Sequence, residues 1–137
     1  MKQQEDSQTL ANRVRTVLQT EPGLELALLY GSVAAGTQRS DSDVDIAVLF
    51  DHPLNAEKKM QLIARLGSSL MRMIDLTDLY SLNGTILRHV LCKGRVLINH
   101  RPEKLEQCIQ RMVYNQADMM PFVLRAQTAR MERFLHG

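Results

Sequence analysis

Tryptophan is absent from the chain, and Tyr and Phe contribute three residues each, so aromatics make up only 4% of its 137 residues. So few flat rings leave little platform on which single-stranded nucleic acid or a sugar could stack. Cysteine is scarce as well. Cys92 and Cys108 are too few for a disulfide framework and lack the paired spacing of a zinc site, so both are expected to be reduced, packed thiols. Excess charge of one sign is also missing: 17 basic against 15 acidic residues leave +2, far from the positive stripe that grips DNA phosphates, and no stable nucleic-acid partner is expected. No run of about 18 apolar residues occurs, and the opening MKQQEDSQTLANRVR is polar where a signal peptide needs an apolar core. A soluble cytoplasmic protein with no membrane partner is the expectation.

What remains is an ordinary globular balance, with 45% hydrophobic and 23% charged residues and no repeat or low-complexity stretch. The length suits one domain, 1–137, able to bury roughly two thirds of its unfolded surface. From Ser7, read as an N-cap, Leu10, Val14, Val17 and Leu18 recur at helical spacing until Pro22-Gly23. Leu24 to Tyr30 and Val44 to Phe50 are short apolar runs that predict strands, separated by the small, polar loop GSVAAGTQRSDS. Asn55 is expected to cap a long helix with Glu57 in its first turn, Met60, Ile63, Ala64, Leu70 and Met71 facing inward, and Gly67 interrupting it. Ile74 to Tyr80 alternates as a third strand. Asn83 to Cys92 reads as a short helix with Ile86, Leu87, Val90 and Leu91 apolar, and Arg95 to Asn99 as an edge strand. Beyond Pro102 a helix follows with Leu105, Cys108, Ile109, Met112 and Val113 on one face, then Pro121 and a last helix with Phe122, Ala126, Ala129 and Phe134. The order predicts an α/β (α+β) fold: a small mixed sheet with flanking helices, a catalytic core over about 24–99, and a helical C-terminal third over about 102–136.

Chemistry concentrates in Gly31-Ser32, ten residues, then Asp43-Val44-Asp45, at the end of one predicted strand and the start of the next. On a strand Asp43 and Asp45 share a face with Cα atoms about 6.5 Å apart, so their carboxylates can converge on a hard cation such as Mg²⁺. Gly31 permits close backbone approach, and Ser32 offers a hydroxyl and an N–H where phosphate oxygens are favoured. Carboxylates beside a phosphate cradle are the parts of metal-assisted phosphoryl or nucleotidyl transfer, which commonly needs a third acidic ligand. Asp75 is the candidate, since in IDLTDLY it alternates with Ile74 and Leu76 on a strand that can adjoin the second; Asp78, of opposite parity, is the reserve. An acidic SDSDVD stretch by itself is often only a solvated turn. Here it sits at the mouth of an apolar strand, where like charges destabilise unless a cation neutralises them.

LLYGSVAAGTQRSDSDVDIAVLF resembles the GS-x10-DxD signature of the polymerase-beta-type nucleotidyltransferase superfamily, and IDLTDL followed by a short helix and KGRVLIN extends the likeness over most of residues 24–99. The whole chain is similar to the minimal nucleotidyltransferase (MNT) branch, which includes the antitoxins of HEPN-MNT toxin-antitoxin pairs. The resemblance implies ATP as donor, two Mg²⁺ ions as cofactor, and transfer of AMP to a tyrosine of a cognate HEPN-type toxin with release of pyrophosphate. By position it implies that Gly31 and Ser32 hold the triphosphate, that Asp43 and Asp45 bind metal, and that Asp75 ligands one ion and helps activate the attacking hydroxyl. One departure stands out: members reading GSxARG carry an Arg where this chain has Ala35, and Arg39 or a partner's basic residue is left to replace it.

About forty residues follow the catalytic strands, too few for a separate acceptor-binding domain, so the acceptor is expected to arrive as a partner's surface in a hetero-oligomer. Met112, Met119, Met120 and Met131 in that segment either pack the helices onto the core or form an adaptable contact surface. Two rival functions remain: an antitoxin that silences its partner by occlusion without catalysis, and a nucleotidyltransferase acting on an aminoglycoside-type small molecule. His52, His89, His100 and His136 are dispersed and not expected to bind metal. Tyr30, before Gly31, either lines the nucleotide site or simply packs in its strand.

Overall fold

The computed structural model describes residues 7–31 and 43–119, with the side chains of 115–119 outside the description. In chain order these form α1 (Ser7–Leu18), β1 (Leu24–Tyr30), β2 (Val44–Phe50), α2 (Ala56–Leu70), β3 (Ile74–Asp78), a 3-10 turn (Leu79–Ser81), α3 (Gly84–Lys93), β4 (Arg95–Asn99) and α4 (Pro102–Met119). The sheet order is β3-β2-β1-β4. Because β1 runs antiparallel to both β2 and β4 while β2 and β3 are parallel, the sheet is mixed, with β4 at an edge as its pattern predicts.

Both faces of the sheet are covered, which is why β1 and β2 are near-continuous apolar runs and not alternating ones. Ala27, Leu29, Ile46, Val48 and Phe50 face α1 and α2, which contribute Leu10, Val14, Leu18, Leu62, Leu66 and Leu70. Leu26, Leu28, Ala47 and Leu49 face the other way, onto Leu79, Leu87, Val90 and Cys108. The turn between α1 and β1 is tied to α2 by Glu21, nearly buried, which pairs with Lys58 at 2.7 Å and with Arg65.

Several expected details differ. Asn55 does cap α2, its Oδ1 accepting from the Lys58 N–H at 2.7 Å, but the buried stripe is Leu62, Leu66 and Leu70 with Ile63 beside it. Met60, Ala64 and Met71 are exposed, and Gly67 lies within an unbroken helix whose end is Met71, in the left-handed region at φ 57°. Four-residue spacing of leucines along one side makes a continuous stripe, and the methionines belong to a neighbouring phase. The third strand ends at Asp78: its carboxylate accepts the Tyr80 and Leu54 N–H groups at 3.0 and 2.9 Å, so Leu79 and Tyr80 turn away into the 3-10 segment. Ile86 on α3 and Ile109 and Val113 on α4 are exposed. Cys108 is buried as expected, whereas Cys92 is exposed. Met112 packs partly against the second core cluster; Met120, Met131 and the expected last helix fall outside the described residues.

Candidate active site

Strand pairing assembles the candidate site. Tyr30, the last residue of β1, pairs with Asp45 near the start of β2, and Asp45 pairs with Asp75 on β3. Residues paired in register share a face, so the two carboxylates stand on neighbouring strands about 4.8 Å apart, on the side covered by α3 and α4. Asp45 is hydrogen-bonded to Asp75. Its pKa is raised to about 6, first by burial, then by the charge of and hydrogen bond to Asp75, then by Asp43, with His89 pulling the other way. Asp43 lies one residue before β2, exposed, and acts on Asp45 through space.

Gly31 closes the site from the β1 side. It adopts φ +75°, and a Cβ built there would overlap the Asp45 carboxylate. Only glycine allows both the left-handed turn and the approach of Asp45 to the backbone. Tyr30 is half-buried, its hydroxyl 3.2 Å from the Thr77 Oγ1. Burial raises its pKa, the Thr77 hydrogen bond opposes the rise, and Asp75 and Asp45 add to it. The His89 ring meets Tyr30 edge-on with centroids 6.4 Å apart. Thr77 and His89 were not foreseen as site residues. Thr77 has the parity of Asp75 and follows from extending the same alternation; nothing in the spacing of His89 sets it apart from the other histidines.

Gly31, Asp45 and Asp75 are therefore together, with Asp43 reaching Asp45 only through its charge, while Ser32, Ala35 and Arg39 lie outside the described residues. Asp78, the reserve candidate, is occupied at the far end of β3 with two backbone N–H groups. Among the described residues no group of three His, Cys, Asp or Glu side chains is close enough to hold a metal ion, so Asp43 is not gathered with the other two in this conformation. The donor set nevertheless suits a hard divalent cation. The acidic groups offer only carboxylate oxygens, and Asp45 is pushed up first by burial and then by the neighbouring charges of Asp75 and Asp43, a carboxylate cluster that a divalent cation would relieve.

A family model described as "Polymerase beta, Nucleotidyltransferase" matches residues 12–103. The chain belongs to this nucleotidyltransferase family. It is similar to the Protein adenylyltransferase MntA of Shewanella oneidensis, 38% identical over 76 residues, which are 56% of this chain and 55% of that protein. The match thus spans about half the length of the curated relative. Of solved structures, a toxin-antitoxin with AMP-PNP shares the fold with a TM-score of 0.69 at 26% identity, covering 93% of this chain and 98% of that one. A mutant of the toxin-antitoxin MntA-HpeT does so with a TM-score of 0.65 at 25% identity, covering 98% and 100%. The mixed sheet and its flanking helices are thus a nucleotidyltransferase fold. No helix among the described residues is long and apolar enough to cross a membrane.

Proposed function

We propose that this nucleotidyltransferase is the antitoxin of a toxin-antitoxin pair and transfers AMP from ATP to a tyrosine hydroxyl of a cognate HEPN-type toxin. The observation that carries the reading is the in-register pair of Asp45 and Asp75 against Gly31. Likeness to an adenylyltransferase and to a toxin-antitoxin with AMP-PNP supports the choice of donor and of a protein acceptor.

In this reaction Gly31 lets the triphosphate approach the backbone, and Ser32 supplies a hydroxyl and an N–H to its oxygens. Asp45 and Asp75, joined by Asp43, would hold Mg²⁺. When bound, the metal supplies positive charge that offsets both the carboxylates and the phosphate oxygens. Asp75, the more exposed of the paired carboxylates, accepts the proton of the incoming tyrosine hydroxyl. The tyrosine oxygen bonds to the α-phosphorus as the bond from that phosphorus to the bridging oxygen breaks, and pyrophosphate leaves with the electron pair. Tyr30 and Thr77 form the wall beside Asp75, and their mutual hydrogen bond fixes its shape.

Incubation of the toxin with ATP labelled at the α-phosphate and Mg²⁺ tests the reading. Label should pass to the toxin and should be lost with Asp43→Ala combined with Asp45→Ala. Toxin silenced equally by the double variant, with no label, would mean occlusion, and label on an aminoglycoside alone would mean a small-molecule enzyme.

A further inference from the structure

The sheet face that carries Asp45 and Asp75 has a second polar recess at the other end of β2. Leu49 floors a cavity of about 230 Å³ whose walls are Tyr80 of the 3-10 turn and Lys104, Gln107, Cys108 and Arg111 of α4. Positions 104, 107, 108 and 111 lie along one side of the helix, so a single element presents all four. Leu49 is four residues beyond Asp45, about 13 Å along the strand, which separates this cavity from the carboxylate centre.

Among the described residues the lining holds two cations, an amide, a phenol and a thiol, and no carboxylate. Among the described residues neither Lys104 nor Arg111 has an ion-pair partner, although Lys58, Arg65 and Arg101 all do. Arg111 donates to the Leu79 carbonyl, which fixes its guanidinium, while its Nε is buried with no acceptor. A buried donor left without an acceptor is costly, so the Arg111 guanidinium brings its positive charge to the cavity wall without being neutralised from within the described fold. The field reaches Cys108 too: burial raises its pKa, with Arg111 and Lys104 opposing the rise. The volume is below the roughly 300–1,000 Å³ of pockets that enclose drug-sized ligands, so a whole nucleotide does not fit, whereas a tetrahedral oxyanion does.

We propose that this cavity is a binding site for a phosphate-type oxyanion, held by Arg111 and Lys104 with Gln107 and Tyr80 as further donors. Guanidinium and ammonium groups are the usual partners of such ions, and all four side chains can donate.

Equilibrium dialysis of the full chain with labelled orthophosphate or pyrophosphate, in EDTA at physiological ionic strength, tests this. Saturable uptake of one ion per chain is expected, unchanged in Asp45→Asn and weakened about tenfold or more in Lys104→Glu, where a cation is replaced by a like charge. Gln107→Glu, at an exposed position, should weaken it as well and stands in if Lys104→Glu fails to fold. AMP distinguishes the sources. Displacement by AMP assigns the site to a nucleotide's terminal phosphate, with the nucleoside left outside the cavity, and no displacement assigns it to the free ion. Absence of saturable uptake, uptake equal in the folded Lys104 or Gln107 variants, or uptake lost in Asp45→Asn would overturn the proposal. So would a Lys104→Glu variant whose only defect is weaker toxin binding, since the cavity would then receive an acidic side chain.

Discussion

Asp45 is where fold and chemistry oppose each other. Its carboxyl titrates at about 6 in the folded chain against 3.8 as a free group, so the folded state holds the proton more tightly. The stabilisation this gives is complete below the unfolded pKa and disappears as pH rises through 6. In EDTA, thermal melting of the wild type should therefore fall between pH 5 and pH 7.5 relative to Asp45→Asn, which carries no charge at either pH; parallel melting curves would refute the assignment. Cation binding requires the ionised group, so Mg²⁺ should raise the melting temperature more at pH 7.5 than at pH 5. Gly31→Ala tests the same contact from the other side. Its positive φ alone costs about 1–2 kcal/mol, and the added methyl pushes the Asp45 carboxylate away. Transfer activity should therefore drop far more than the melting temperature, as measured on one preparation.

At the scale of the element, β3 assigns different tasks to its two aspartates. Asp75→Asn should abolish label transfer with little change in stability. Asp78→Ala should remove the acceptors of two backbone N–H groups at the strand end, costing about 0.5–2 kcal/mol in chemical denaturation and leaving transfer in place. Helix α2 supplies a second contrast: Leu66→Ala should cost about 2–5 kcal/mol, whereas Met71→Lys, at 82% exposure, should stay within about 0.5 kcal/mol. Strands β1, β2 and β4 were legible because they are short apolar runs bounded by turn residues, and Asn55 because caps have a local signature. The phase of α2 was not, since methionines and leucines are equally apolar and only the packed sheet selects Leu62, Leu66 and Leu70. The end of β3 was partly hidden: Asp78 turns the chain by accepting the Tyr80 N–H two residues on, but its second bond, to Leu54, is distant in sequence. The Gly31, Asp45 and Asp75 constellation could be read because strand parity predicts it, whereas His89 arrives from another element through tertiary packing.

Across the whole molecule, the sheet order β3-β2-β1-β4 places the end of β1 and the starts of β2 and β3 at one corner, where Tyr30, Asp45 and Asp75 line up across three strands. Among the described residues, helices α1 and α2 seal one face of the sheet, and α3 and α4 cover the other, with Asp75 and Asp43 exposed at that corner. The proposed macromolecular acceptor accordingly approaches this corner from outside. A crystal structure of the chain soaked with Mn²⁺ and a non-hydrolysable ATP analogue, with the ion located by anomalous scattering, decides whether this corner is the catalytic centre. The expected result is metal bound between Asp45 and Asp75, Asp43 drawn in as a further ligand, and the triphosphate against Gly31. Metal absent from those carboxylates, or a nucleotide seated away from Gly31, would contradict it.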